Sequence, residues 1–413
     1  MTRFATTSKY PMISWEEAWA IVAKTVTPLA PSPVGLLGLH DLVLAEDIVA
    51  ARNMPPFTAS KMDGYAVIAS DGTSARRVLG EQDAGNMLDV EVTPGTTVRI
   101  MTGAPLPKGA DAVIPVEQTS ETDGIMHPQR AVRPNEQVRL AGQDIAIGDL
   151  VIAKGTVLGA AEIGLLAMVG RAEALAHPRP RVAVMATGDE LVPPGEPLAP
   201  GQIHDSNSYA LCAAVQAAGG IARRIDRSID NEDSLREALL GAVTDADLVI
   251  TSGGVSMGTR DLLKPVLASL GTVHFGWVAI RPGKPLTFAT IQGVPVFSLP
   301  GFPVSSLVTF ENTVRPALRI MAGHMALWRP KVEACLNHSL RHAPDRMEFQ
   351  RAMVTQRDGV YWATTTGSQV SSRLKSLVGA NALLRIPRGV GDLEEGAAVT
   401  AVLINQPETE QSP

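Results

Sequence analysis

The chain has 413 residues, about three times the length usual for a single hydrophobic core, so two to four domains are expected. Hydrophobic residues make up 45% and charged residues 19%, a globular balance that excludes a disordered, collagen-like or coiled-coil chain. Lys and Arg number 36 against 42 Asp and Glu, a net charge of −6, so no domain-wide basic surface points to nucleic acid or an anionic membrane as partner.

At the N-terminus, MTRFATTSKYPMISWEEAW lacks the apolar core of a signal peptide, and no run of about 18 apolar residues occurs anywhere, which leads to the expectation of a cytoplasmic protein. Ser14 followed by Glu17 has capping-box spacing, and Trp15, Ala18, Trp19 and Val22 recur at helical intervals, so a helix is predicted over residues 15–25. From about 45 to 155 the texture changes to short β-branched runs such as VTPGTTVRI, ADAVIPVEQT and DLVIAKGTVL, punctuated by Gly, Pro and Asp turns. The prolines of HPRPRP mark a boundary, after which strands and helices alternate: RVAVMAT, a helix through Tyr209–Ala218, IARRID, a helix at Ser234–Val243, DLVIT, a helix at Asp261–Leu270, TVHFGWVAI and PVFSLP. This alternation of nearly continuous apolar strands with helices predicts a doubly wound parallel sheet, with ligands at the carboxyl ends of its strands. Residues 304–322 read as a closing helix, and EFQRAMV, GVYWATT, NALLRIP and AVTAVLI as a small C-terminal β domain.

The expected organisation is thus α/β and β multidomain: an N-terminal region over 11–178 carrying a β-rich lobe (about 50–145), a central α/β domain over 179–325, a β domain over 328–405 and a tail at 406–413. Cys212 and Cys335 stand 123 residues apart with no Cys or useful His beside them, which excludes a disulfide framework and a Cys-rich zinc site. The eight histidines show no metal-ligand spacing.

Three strands of the central domain run into loops of unusual composition: ATGDEL at 186–191, TSGGVSMGTRD at 251–261 and LPGFPVSS at 299–306. Glycines let backbone N–H groups approach an oxyanion, and a following helix adds its positive end. These loops make Gly188, Asp189, Ser252, Gly253, Gly254, Ser256, Pro300 and Pro303 candidate substrate-binding positions. Their carboxylates, Asp189, Glu190 and Asp261, with Asp230 near another strand end, are suited to gather around a hard divalent ion bridging phosphate oxygens. The RPGKP run adds Arg281 and Lys284 on a backbone stiffened by two prolines.

MDGYA, TGAPLPKGADAVIP, ATGDEL, ITSGGVSMG, RPGKPLTFA, LPGFPVS, and QVSSRL with ANALLRIP follow one another across residues 11–404. In this order they resemble the molybdopterin molybdenumtransferase family, which is related to the C-terminal domain of gephyrin. The resemblance implies a homodimer in which an elongated N-terminal region with an inserted β-rich lobe precedes a molybdopterin-binding domain and a C-terminal β domain. It also implies a magnesium-dependent reaction in which adenylylated molybdopterin and molybdate give molybdenum cofactor and AMP. The adenylyltransferase that makes the substrate and the acceptor molybdoenzymes would be protein partners. Competing readings are the adenylyltransferase activity itself and a non-catalytic molybdopterin-binding scaffold.

Carried over position by position, the resemblance makes Asp63, Thr102, Asp144, Glu190 and Asp230 catalytic, and Asp261 with Glu190 metal ligands. Lys284 and Pro285 would meet the oxyanion, with Arg351 of EFQR and Ser371 of QVSS reaching in from the C-terminal domain. The chain departs from the family at Lys61, Trp277, Arg281 and Phe302, where Ala, a basic residue, Lys and Asn are often found.

Overall fold

The computed structural model describes residues 10–225, 231–254 and 262–405. Two compact units emerge, one comprising Pro33–His40 and Leu44–Ala176, the other the segment up to Ser32, Asp41–Val43 and everything from His177.

The first unit is built on a six-stranded sheet in the order Thr119–Thr122, Ile125–Pro128, Arg76–Gln82, Thr96–Ile100, Gly64–Val67 and Ala112–Pro115. Alternation along these short strands sends Tyr65, Val67, Ala112 and Ile114 into one core and Ala66, Ile100 and Val113 into the other. Gly64 opposes Ile100 in an antiparallel pair, so the residues just outside the pair, Asp63 and Thr102, emerge at the same end.

In the second unit the N-terminal helix spans Trp15–Thr25, and its capping box is complete: the Glu17 N–H donates to Ser14 Oγ at 3.1 Å, and the Ser14 N–H to Glu17 Oε2 at 2.8 Å. Its apolar face, Ala18 and Val22, joins the large core under the central sheet, while Trp15 and Trp19 meet Trp328 edge-on. The central sheet runs Ile221–Arg224, Arg181–Ala186, Leu248–Ser252, Val294–Leu299, Thr287–Ile291 and Thr272–Phe275. Both faces are covered, because Val182, Val184, Leu248 and Ile250 enter one core whereas Ala183, Met185 and Val249 enter the other.

The first four strands are parallel, as the pattern predicts. The two remaining pairings are antiparallel, so Thr287–Ile291 runs against all the other strands, which the pattern does not predict. Gln292 and Gly293, at φ 51° and 82°, make a two-residue turn whose twist matches the flanking strands and folds Thr287–Ile291 back as a hairpin. The closing helix is one run in three parts, α over Pro303–Thr309 and Arg315–Met321 with a π turn over Phe310–Val314. That wider turn precedes Pro316, which has no N–H to give the preceding carbonyls.

The C-terminal strands close on themselves. Met347–Arg357 pairs with both Val360–Thr365 and Ala382–Ile386, making a small barrel filled by Ala334, Leu336, Ala352, Leu384 and Ala401. A two-residue strand from the central domain, Ile280–Arg281, adds to the barrel by pairing with Met347 and Glu348.

Candidate active site

Because Arg181–Ala186, Leu248–Ser252 and Val294–Leu299 are parallel, their carboxyl ends deliver three loops to one sheet edge. Thr187–Glu190, Ser252–Gly254 and Pro300–Pro303 together line a cleft of about 1870 Å³, whose other walls come from Gln202–Asn207, Ile280–Pro285, Arg346 and Gln369–Ser372. Gly253 has φ +96°, and a Cβ there would lie 2.3 Å from the Thr187 carbonyl oxygen, so only glycine lets the first two loops close on each other. The Glu190 carboxylate folds back over Gly188, occupying the space that a side chain at 188 would need.

Polar order extends beneath the loops. Asn207 Nδ2 donates to Ser252 Oγ at 2.9 Å and to the Gly301 carbonyl at 2.7 Å, tying the second and third loops together. Asp205, buried and 3.7 Å from Arg224, accepts from the Ser208 N–H and hydroxyl at the start of the Asn207–Ala217 helix. These residues escaped the sequence reading. The signal was present in Asp205-Ser206-Asn207, a capping-type run placed ahead of an apolar helix.

Positive charge enters on the Arg281–Pro285 turn. Gly283 has φ +119°, and a Cβ would come 2.2 Å from Thr309 Cγ2; the Val278 N–H donates to the Lys284 carbonyl at 3.0 Å. Arg281 and Arg346 both line the cleft, and Asp345 is shared between them, 3.9 Å from Arg281 Nη2 and 2.8 Å from Arg346 Nε. The Arg346 hydrogen bond, reinforced by the Arg281 charge, holds Asp345 below the usual carboxylate range.

Of the expected residues, the cleft gathers Gly188, Asp189, Glu190, Ser252, Gly253, Gly254, Arg281, Lys284, Pro285, Pro300, Pro303 and Ser371. Arg351 is placed differently from expectation. It is 1% exposed and lies behind the Gln369–Ser372 wall, donating to Ser376 Oγ and to the carbonyls of Ser368, Gln369 and Val370. A guanidinium with those partners shapes the wall from behind. Burial pushes it down to about 10, which leaves it charged at neutral pH. Phe302 stands 60% exposed in the cleft, whereas Trp277 is buried beside the Lys284 turn.

Asp63, Thr102 and Asp144 belong to the other unit. There the Thr102 N–H and hydroxyl both donate to Asp63 Oδ1, at 2.7 and 2.6 Å, and hold that carboxyl below the ordinary carboxylate range. Asp144 pairs with Arg139, and Lys61 is exposed. Asp230, Ser256 and Asp261 lie outside the described residues. Among the described residues no three His, Cys, Asp or Glu side chains cluster as a metal cage, and no helix is long and apolar enough to cross a membrane.

Comparison with known proteins divides the chain into three family matches. Residues 13–170 match the MoeA N-terminal region (domains I and II), 183–320 a probable molybdopterin binding domain, and 333–404 the MoeA C-terminal region (domain IV). Molybdopterin molybdenumtransferase 2 of Mycobacterium tuberculosis is 38% identical over 93% of this chain and 98% of its own length. The Haemophilus influenzae molybdopterin molybdenumtransferase is 37% identical over 87% and 90%, and gephyrin of Dictyostelium discoideum 37% over 88% of this chain and 58% of that relative. A solved molybdopterin biosynthesis MoeA protein from Pyrococcus horikoshii superposes with a TM-score of 0.83 at 32% identity, covering 96% of this chain and all of that one.

Proposed function

The chain belongs to the MoeA family of molybdopterin molybdenumtransferases, related to gephyrin, and on that premise we propose that it transfers molybdenum from molybdate to adenylylated molybdopterin, with cleavage of the phosphoanhydride and release of AMP. The observation that carries this reading is the convergence of three strand-end loops and the Arg281–Pro285 turn on one large cleft. Glycine-rich loop backbone at 188 and 253–254 suits the phosphates and their pterin, and Ser252, held by Asn207, offers a hydroxyl at their edge. Arg281 and Lys284, on a turn that Gly283 lets pack tightly, suit a tetrahedral dianion.

In this reading the protein acts mainly by placement and charge. Cleaving a phosphoanhydride develops negative charge on the departing phosphate, and the backbone N–H groups and cations of the cleft would stabilise it without rearranging. Glu190, which lines the cleft, and Asp261, outside the described residues, would hold a magnesium ion, with Asp189 beside Glu190 in the same lining, and such an ion would supply charge neutralisation across the anhydride. Asp63, kept ionised by Thr102, is assigned to the same chemistry on the family motif, as is Asp144. We also assign a homodimer, which sedimentation at micromolar concentration would test.

The reaction is tested by incubating the protein with adenylylated molybdopterin, molybdate and a magnesium salt and measuring AMP. AMP formation that stops in excess chelator or without molybdate supports the proposal. Equal release under all three conditions would refute it.

A further inference from the structure

Trp277 has an unusual place for a large aromatic. It is 7% exposed, on a two-residue strand, Trp277–Val278, that pairs in parallel with Met12–Ile13. Two ammonium groups approach its ring: Lys264 Nζ lies 3.9 Å from the ring centroid and Lys284 Nζ 5.6 Å. Lys284 lines the cleft, and Lys264 follows Leu262 and Leu263, which line it too. An indole face carries negative quadrupole potential and attracts cations within about 6 Å of its centre, most strongly where water is scarce. A lysine stem has four rotatable bonds, so an ammonium without such an anchor loses much entropy when a ligand fixes it. The backbone here already holds Lys284 through the Val278 N–H, and the ring supplies what the backbone cannot, a resting place for the charge.

We propose that Trp277 is a positioning residue for oxyanion capture, its indole face holding the Lys284 ammonium at the cleft edge with Lys264 drawn to the same ring. The identity of the anion rests on the proposed insertion reaction. The ring need never touch the anion: it narrows the range of positions from which Lys284 meets it, and it offsets the mutual repulsion of two neighbouring ammonium groups.

The test reads the lysines and the anion separately in the full-length protein. With lysines reductively ¹³C-dimethylated and assigned through Lys264→Arg and Lys284→Arg, the N-methyl resonances of both should be shifted upfield by the indole ring current. The shift should persist in Trp277→Phe and vanish in Trp277→Leu. Equilibrium dialysis with molybdate alone should give roughly 3- to 30-fold weaker binding for Trp277→Leu, the range expected on losing one cation–π anchor, with Trp277→Phe between it and wild type. Should Trp277→Leu fail to fold, fluorinated tryptophans placed at 277 keep the shape while draining the π face, and affinity should fall stepwise with fluorine count. Unshifted lysine methyls, molybdate binding equal in wild type and Trp277→Leu, or affinity indifferent to fluorination would overturn the positioning role. Failure of the wild type to bind molybdate would count against the insertion reaction instead, and the ring-current comparison would still decide whether the Trp277 ring holds the two lysines.

Discussion

Replacing Arg351 by Met keeps a long buried side chain but removes four donated hydrogen bonds, to Ser376 Oγ at 3.1 Å and to the carbonyls of Ser368, Gln369 and Val370 at 3.2, 3.3 and 3.4 Å. Hydrogen bonds from a charged donor contribute roughly 1.5–3 kcal/mol each, with long ones at or below the lower end. Against that sum stands the cost of keeping a guanidinium out of water, which the Met variant no longer bears. Glu348, 6% exposed and near enough for its charge to act on Arg351, would then lose a countercharge. The net loss should be about 2–4 kcal/mol, which lowers the melting temperature of a unit this size by roughly 5–15 °C. Hydrogen exchange should locate the damage. Amides of residues 366–376 should exchange at least about tenfold faster, since a local loss of 1.4 kcal/mol suffices for that, while the Met347–Arg357 strand stays protected. Because Gln369–Ser372 wall the cleft, substrate KM should rise more than kcat falls. A variant melting within about 1 °C of wild type with unchanged exchange over 366–376 would show that Arg351 does not hold this wall.

Gly283→Ala should destabilise the fold by about 2 kcal/mol or more, since it combines a positive φ with a Cβ 2.2 Å from Thr309 Cγ2; a melting temperature equal to wild type would contradict the packing described for the Lys284 turn. His324 is pushed down to about 4 by burial and by the charges of Arg319 and Arg315, with Asp41 opposing and His177 adding to the effect. The unfolded chain therefore takes up a proton near pH 6.5 that the fold refuses until about pH 4, so stability should fall by at most about 3 kcal/mol between those values, and His324→Gln should flatten that decline in denaturant melts. Thr102→Val should raise the Asp63 pKa toward its ordinary value, visible in a ¹³C carboxyl titration, because one of the two donors that hold it down is lost. Glu190→Gln should leave melting unchanged and lower turnover by roughly 10²–10⁴, and wild-type rates would remove Glu190 from the site.

Strand alternation and helix caps made much of this fold legible in the sequence. Val182, Val184, Leu248 and Ile250 report both-face burial by their unbroken apolar run, and Ser14 with Glu17 announces a helix start before any packing is known. The Thr287–Ile291 hairpin strand was hidden because a run of five apolar or β-branched residues carries no sign of direction; only the Gln292–Gly293 turn sets it. Barrel closure was hidden for a related reason, since one long strand, Met347–Arg357, pairs on both sides and sequence spacing records neither partner. At the site, loop composition located the Gly188, Gly253 and Lys284 positions, because glycine and charge in a strand-end loop are visible one residue at a time. Arg351 and Trp277 were not legible in that way. What each does depends on the groups packed around a buried side chain, loop carbonyls for one and two ammonium groups for the other, and these come from segments distant in the chain.

The central claim is that molybdenum entry and anhydride cleavage occur in one event in this cleft. Its most direct test is a single-turnover reaction with protein in excess of adenylylated molybdopterin, in which AMP is counted by chromatography and molybdenum retained in the pterin product by mass spectrometry. The account predicts that the two appear together in equal amounts, and that both fall together in Glu190→Gln. AMP formed without molybdenum in the pterin, or molybdenum bound with the anhydride intact and never cleaved, would contradict it.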